Sequence, residues 1–164
     1  MSSSTENFIQ GEVKERIDRW IAEYPEDQRQ SACMPALRIV QECHDGYLTT
    51  DLMDQVAEYL GMAPIAVYEV ATFYGNYNHQ PVGKYQINWC NSISCYLRGG
   101  EELREKLEEK LGVKTGEVSA DGKFSIKKVE CLGACGGAPI CKIGKDYHEN
   151  LTEESLFKLL DELE

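Results

Sequence analysis

The sequence predicts an α+β chain in which a small helical bundle precedes a layer of strands and helices, and three observations carry that prediction. Apolar residues recur at helical spacing up to about Tyr77, starting with Val13, Ile17, Trp20 and Ile21. After Pro81, Val82 and Gly83 the period drops to two, with Tyr85, Ile87 and Trp89 alternating with Lys84, Gln86 and Asn88. Beyond that point cysteines fall in two short groups, each where a strand-like run gives way to a loop. The change in texture sets the expected boundary, a helical bundle over 1–80 and a second domain over 81–164.

Tyr24 extends the first helical pattern and Pro25 closes it. Pro35 suits the first turn of a second helix carrying Leu37, Ile39, Val40 and Cys43, which should end near the Asp45-Gly46 turn signal. Thr49 or Thr50 caps a third, with Leu52, Met53, Val56, Tyr59 and Leu60 inside and Gly61 at its end. Pro64 opens a fourth through Ile65, Val67, Tyr68, Ala71 and Phe73. Four short helices with short connections make a bundle.

In the second domain the strand that begins near Tyr85 ends at Cys90. A charged helix follows Gly99-Gly100, buries Leu103, Leu107 and Leu111, and stops at Gly112. Phe124, Ile126 and Val129 form a second strand that delivers Cys131. The runs Pro139 to Ile143 and Tyr147 to Asn150 pair as a hairpin about Gly144-Lys145-Asp146. Thr152 then caps a last helix with Leu156, Leu159, Leu160 and Leu163 on one face. Strand, helix, strand, strand, helix is the order of a small thioredoxin-like layer.

The totals narrow the function. A chain of 164 residues, 42% hydrophobic and 27% charged, can bury one ordinary core or two small ones without disulfides. A net charge of -11 argues against nucleic acid, whose phosphates need clustered Lys and Arg. Seven cysteines, an odd number, do not fit a fully paired disulfide framework. Met1 to Gln10 is polar, without a secretory core or the arginines of a transit peptide, and no apolar run is long enough to insert in a bilayer. A reducing, cytoplasmic compartment is the expectation, where clustered cysteines hold metal or do redox work.

The chemistry rests on Cys90 and Cys95 in Cys-Asn-Ser-Ile-Ser-Cys, and on Cys131 and Cys135 in Cys-Leu-Gly-Ala-Cys-Gly-Gly. Gly133, Gly136 and Gly137 tolerate unusual backbone angles, which lets a loop turn two thiolates toward one point. Three chemistries compete for such a set. Structural zinc accepts four thiolates, but its knuckles usually space them C-x2-C. A dithiol redox pair favours C-x-x-C, which is absent here. A [2Fe-2S] cluster needs four thiolates for two irons, and C-x4-C followed much later by C-x3-C leaves room for a core wider than one ion. Spacing favours the cluster and leaves zinc open.

Other reactive side chains have plainer readings. Cys33, Cys43 and Cys141 are expected as small buried hydrophobes. His44 and His79 are expected on solvated surface, and His148 has no cysteine at ligand spacing. Phe73, Tyr74 and Tyr77 suit core and domain-packing surface better than base stacking. Arg98, Lys127 and Lys128 flank the cysteine loops and are placed to offset negative charge, although both lysines read equally well as solvated.

The string Val-Tyr-Glu-Val-Ala-Thr-Phe-Tyr at Val67 to Tyr74, Pro-Val-Gly-Lys-Tyr at Pro81 to Tyr85, the C-x4-C pair, and Cys-Leu-Gly-Ala-Cys-Gly-Gly-Ala-Pro at Cys131 to Pro139 carry a resemblance. From about Glu12 to Leu163 the chain resembles the E-subunit family of bacterial NADH:quinone oxidoreductase, respiratory complex I. The resemblance implies a helical bundle followed by a thioredoxin-like [2Fe-2S] ferredoxin domain, seated against a flavoprotein subunit that binds FMN and NADH. It implies other peripheral-arm subunits as further partners, and a place on the cytoplasmic side of the inner membrane through the complex. By motif position it implies Cys90, Cys95, Cys131 and Cys135 as ligands of the [2Fe-2S] cluster, with no catalytic residue. This chain departs from the family in Cys141, where an apolar residue is frequent, and in Trp89 before the first ligand. No glycine-rich phosphate loop is present, so NADH and FMN are expected to bind elsewhere. The equivalent subunit of a soluble NAD-linked hydrogenase or formate dehydrogenase shares these motifs, and a zinc module for assembly is the reading from another class.

Overall fold

Residues 7–163 are described by the computed structural model of this chain, in two units, Met1–Pro81 and Val82–Glu164. Of the polar start read at Met1 to Gln10, residues 1–6 lie outside the described residues.

In the first unit the four expected helices are α1 (Gly11–Ile21), α2 (Cys33–Cys43), α3 (Thr50–Leu60) and α4 (Pro64–Phe73). Helix α3 shows why local chemistry sets these boundaries. The Thr49 hydroxyl accepts a hydrogen bond from Leu52 N at 3.2 Å, and Gly61 ends the helix in the left-handed region at φ 70. A 3-10 segment, Glu26–Ala32, precedes α2 and was not foreseen, because Glu-Asp-Gln-Arg-Gln-Ser-Ala has no apolar period to read. Ile17, Leu37, Val40, Val56, Val67 and Ala71 are fully buried among these helices. The tail of the unit locks on through Asn78: its carbonyl accepts from Leu48 N at 2.8 Å, its N–H donates to Gln41 Oε1 at 2.7 Å and its amide donates to Gly46 O at 2.9 Å.

Several inner-face expectations change. Trp20 is 39% exposed, Ile65 63% and Phe73 79%, so α4 buries only Val67 and Ala71 within its own unit. Tyr77 is buried, its hydroxyl donating to Met34 O at 2.9 Å.

The second unit contains β1 (Tyr85–Cys90), α5 (Ile93–Leu97), α6 (Gly100–Leu111), β2 (Phe124–Val129), β3 (Cys141–Ile143), β4 (Asp146–His148) and α7 (Glu153–Leu163). The sheet order is β2-β1-β3-β4. β1 and β2 are parallel, with Ile87 opposite Ile126 and Cys90 opposite Val129. Parallel neighbours need a crossover, and α6 supplies it. β3 runs antiparallel to β1 with Cys141 opposite Trp89, and β4 runs antiparallel to β3. Ile87, Trp89, Leu107, Ile126, Leu156 and Leu160 form the centre of the core. The result is the α+β, thioredoxin-like layer.

The hairpin is shorter than its apolar runs suggest. Only Cys141–Ile143 and Asp146–His148 pair, about Gly144 and Lys145, because the carbonyls upstream are taken: Ile140 O by Cys90 N at 3.2 Å and Pro139 O by Leu151 N at 3.1 Å. Gly83 is placed by close approach, since a Cβ there would lie 2.8 Å from both Phe124 O and Ser125 N.

Candidate metal centre

The four cysteines are delivered from the ends of the parallel pair. Cys90 is the last residue of β1, and the ladder continues one step further through Asn91 N to Val129 O at 2.8 Å. The chain then turns into α5, a short helix absent from the sequence reading, which expected a loop here. Cys95 sits in the middle of α5. That helix packs on the start of α6 so closely that a Cβ on Gly100 would stand 2.7 Å from Cys95 O. β2 ends at Val129, Cys131 follows two residues on, Gly133 turns the loop at φ 80, and Cys135 opens a 3-10 turn, Cys135–Gly137. Of the three glycines expected to shape this loop, Gly133 is the one that needs the left-handed region.

Burial divides the set. Cys90 and Cys95 are buried with Ala138 and Ile140, with Leu132 and Ala134 packed alongside, whereas Cys131 and Cys135 are exposed. The Cys131 and Cys135 sulfurs are 4.0 Å apart. Two thiolates on one tetrahedral metal, each at 2.3 Å, would be about 3.8 Å apart, so this pair is nearly in place for one metal. Among the described residues no group of three His, Cys, Asp or Glu side chains is positioned to hold a single ion. Two pairs of thiols, one buried and one exposed, suit a core with two irons.

The sulfurs also sense one another. Burial, and then the neighbouring Cys90 thiol, push the Cys95 thiol up to about 11, and Cys135 acts in the same direction. The Gly133 N–H, 3.3 Å from the Cys131 sulfur, brings the Cys131 thiol down, with help from Cys135, Ser92 and Cys90. Donors directed at a sulfur favour its charged form.

Around the site, Arg98 ends α5 and its Nη1 donates to Ala138 O at 3.4 Å. Lys128 faces Glu101 at 3.7 Å instead. Burial lowers the pKa of the half-buried Lys127. Cys33 and Cys141 are buried, with thiols pushed by burial up to about 11 and about 12. Cys43 departs from expectation: it is exposed and accepts from Arg16 Nη1 at 3.3 Å. His44 is not freely solvated, since its Nδ1 lies 3.1 Å from Tyr47 O and its ring stands edge-on between Phe8 and Tyr47. His79 is exposed with Nε2 3.0 Å from Ala71 O.

Ser92, Gly100 and Ile140 are parts of the site that sequence reasoning missed. Ser92 carried a signal, a serine directly before a short apolar run, which marks a helix start.

Comparison with known proteins follows the same lines. Residues 17–164 match the family described as thioredoxin-like [2Fe-2S] ferredoxin. The chain is 43% identical over 149 residues to an NADH-quinone oxidoreductase E-subunit of Rhizobium meliloti, the second of that name, spanning 91% of this chain and 87% of that protein. It is 42% identical over 144 residues to the NADH-quinone oxidoreductase E-subunit of Rickettsia conorii, spanning 88% and 86%. A longer relative is the mitochondrial NADH dehydrogenase [ubiquinone] flavoprotein 2 of Dictyostelium discoideum, 38% identical, with 90% of this chain matched to 60% of that one. Among solved structures, the air-oxidized NAD+-reducing [NiFe]-hydrogenase matches with a TM-score of 0.69 at 19% identity, over 85% of this chain and 24% of the hydrogenase chain. At that identity the likeness is one of fold.

Proposed function

The chain belongs to the thioredoxin-like [2Fe-2S] ferredoxin family, and from that premise we propose that it is the one-electron carrier of an NADH-quinone oxidoreductase. Its cofactor is a [2Fe-2S] cluster. Cys90, Cys95, Cys131 and Cys135 are the proposed ligands. The observation that supports them best is the exposed Cys131 and Cys135 pair, 4.0 Å apart, beside the buried Cys90 and Cys95. When bound, the cluster supplies a site that accepts and releases one electron.

The chain's own residues then have separate tasks. The buried cysteines, packed against Ala138 and Ile140, keep water from one side of the site. The exposed cysteines bring the other side to the surface, and the Gly133 N–H favours negative charge on the Cys131 sulfur. No proton transfer or nucleophile is called for.

A flavoprotein that binds FMN and NADH is the proposed electron donor, since this sequence has no dinucleotide fingerprint. The domain boundary proposed from the sequence, 1–80 and 81–164, gives the helical bundle the docking role. Ile65, Phe73 and Tyr74, left exposed by the core of their own unit, support that role. No helix among the described residues is long and apolar enough to cross a membrane. Attachment on the cytoplasmic side of the inner membrane is therefore proposed to run through the other peripheral-arm subunits. The 43% and 42% identities to E-subunit proteins favour this reading over a soluble hydrogenase, which the chain resembles in fold alone.

The test mixes purified components. The chain alone, loaded with its cluster, should stay oxidised in NADH. With a flavoprotein partner, NADH should bleach its visible absorption and produce a paramagnetic signal at low temperature. Turnover of NADH by this chain alone would end the proposal. So would a competent flavoprotein that binds it while the cluster resists both enzymatic and chemical reduction.

A further inference from the structure

Ser92 stands at the N-cap of α5, where a serine hydroxyl ordinarily accepts a hydrogen bond from the first turn of the helix. Here it makes no such bond. The strand register, followed past its last pair, gives the position it stands nearest. Cys90 is opposite Val129 in the parallel pair, and Asn91 N still reaches Val129 O at 2.8 Å beyond the last paired residues. Carried on by two residues, the same register sets Ser92 against Cys131 as the two strands leave the sheet. Ser92 is itself in extended backbone, φ -70 and ψ 159, as that continuation requires.

We infer that Ser92 is a positioning residue for electron uptake, its hydroxyl donating to the Cys131 sulfur rather than capping its own helix. Hydrogen bonds to cluster sulfurs are one of the levers that set the potential of an iron–sulfur centre. A donor on sulfur stabilises the more negative, reduced state, so losing it makes reduction harder. The sequence hides this role because a serine before a helix reads as a cap.

The inference rests on Cys131 being a ligand, and the experiment separates the two. Redox titration of the cluster-loaded chain is carried out for the natural protein, Ser92→Ala, Ser92→Thr and Ser92→Val, with iron content measured in each and in Cys131→Ala. Threonine and valine have nearly the same shape and differ in hydroxyl against methyl. Ser92→Thr should keep the natural potential. Ser92→Ala and Ser92→Val should disfavour reduction by three- to tenfold, about 28 to 59 mV for one electron. If neither apolar variant takes up iron while Ser92→Thr loads fully, the hydroxyl's role is again supported. Equal potentials for Ser92→Thr and Ser92→Val overturn it, as does a raised potential in Ser92→Ala or failure of all three to load. A cluster that survives in Cys131→Ala overturns the ligand reading itself. One lost there but indifferent to the hydroxyl overturns only the role of Ser92.

Discussion

Trp89 Nε1 donates to Gly100 O at 3.0 Å inside the core of the second unit. This bond ties the strand that ends in Cys90 to the first residue of α6. Gly100 in turn presses on the Cys95 backbone, where a Cβ would be 2.7 Å from the carbonyl oxygen. Two residues without metal-binding atoms thus hold the two buried cysteines in place. Trp89→Phe should lower stability by about 1–3 kcal/mol through the lost bond and incomplete filling. Gly100→Ala should cost about 1–3 kcal/mol by overpacking and should also weaken cluster retention, because α5 must move. Urea unfolding and iron retention on dilution check both.

Ligand identity is tested by alanine at each cysteine. Cys90→Ala, Cys95→Ala, Cys131→Ala and Cys135→Ala should each abolish or severely destabilise the cluster, seen in iron content and visible absorption. Cys33→Ala, Cys43→Ala and Cys141→Ala should load normally. Cys141 is the sharpest control, being fully buried opposite Trp89, next to the first proposed ligand in the chain. Iron lost from Cys141→Ala but kept by Cys135→Ala would refute the assignment.

Arg98 is expected to contribute through its charge. By simple counting, four thiolates leave the oxidised cluster with a net charge of about -2, so an added electron needs nearby positive charge. Arg98 reaches Ala138 O, in the loop that packs on Cys90 and Cys95. Arg98→Ala should lower the midpoint potential, whereas Lys128→Ala, whose ammonium faces Glu101, should change it less. A redox titration in which Arg98→Ala shows no shift or a rise returns Arg98 to the solvated surface.

Acid should act on the second unit through Glu108. Burial opposes its charge, but the Thr115 hydroxyl and N–H, then Lys114 and Arg104, outweigh it and bring the carboxyl from 4.5 to about 2. Thr115 Oγ1 donates at 2.6 Å and Lys114 Nζ at 3.2 Å, and Arg104 also pairs with it. A depressed folded-state value means stability that is present above pH 4.5 and is lost as pH falls toward 2. Glu108→Ala should cost about 3 kcal/mol near neutral pH by leaving Arg104 short of a buried partner. Glu108→Gln should unfold with a smaller loss of stability than the natural chain between about pH 6 and about pH 3. Parallel acid sensitivity in both would show that the carboxyl does not matter.

Much of the fold was legible because its signals are local. The Thr49 cap, the Gly61 and Gly112 helix ends, the alternation of Tyr85, Ile87 and Trp89, and the leucines of α6 and α7 depend on neighbours a few residues apart, so periodicity and end chemistry suffice to read them. Cysteine spacing likewise marked four thiols and the kind of core they suit. Burial and pairing depend on residues far apart in the chain, and tertiary structure alone decided those. It exposed Cys43, it turned Ile65 and Phe73 away from their own core, and it formed α5 where a loop was expected. It also made one thiol pair buried and the other exposed, because Cys90 N bonds to Ile140 O, fifty residues away, while Cys131 and Cys135 lie beyond the end of the sheet. The register that sets Cys90 opposite Val129 belongs to the same class, since it arises from pairing between strands and leaves no trace in either segment by itself.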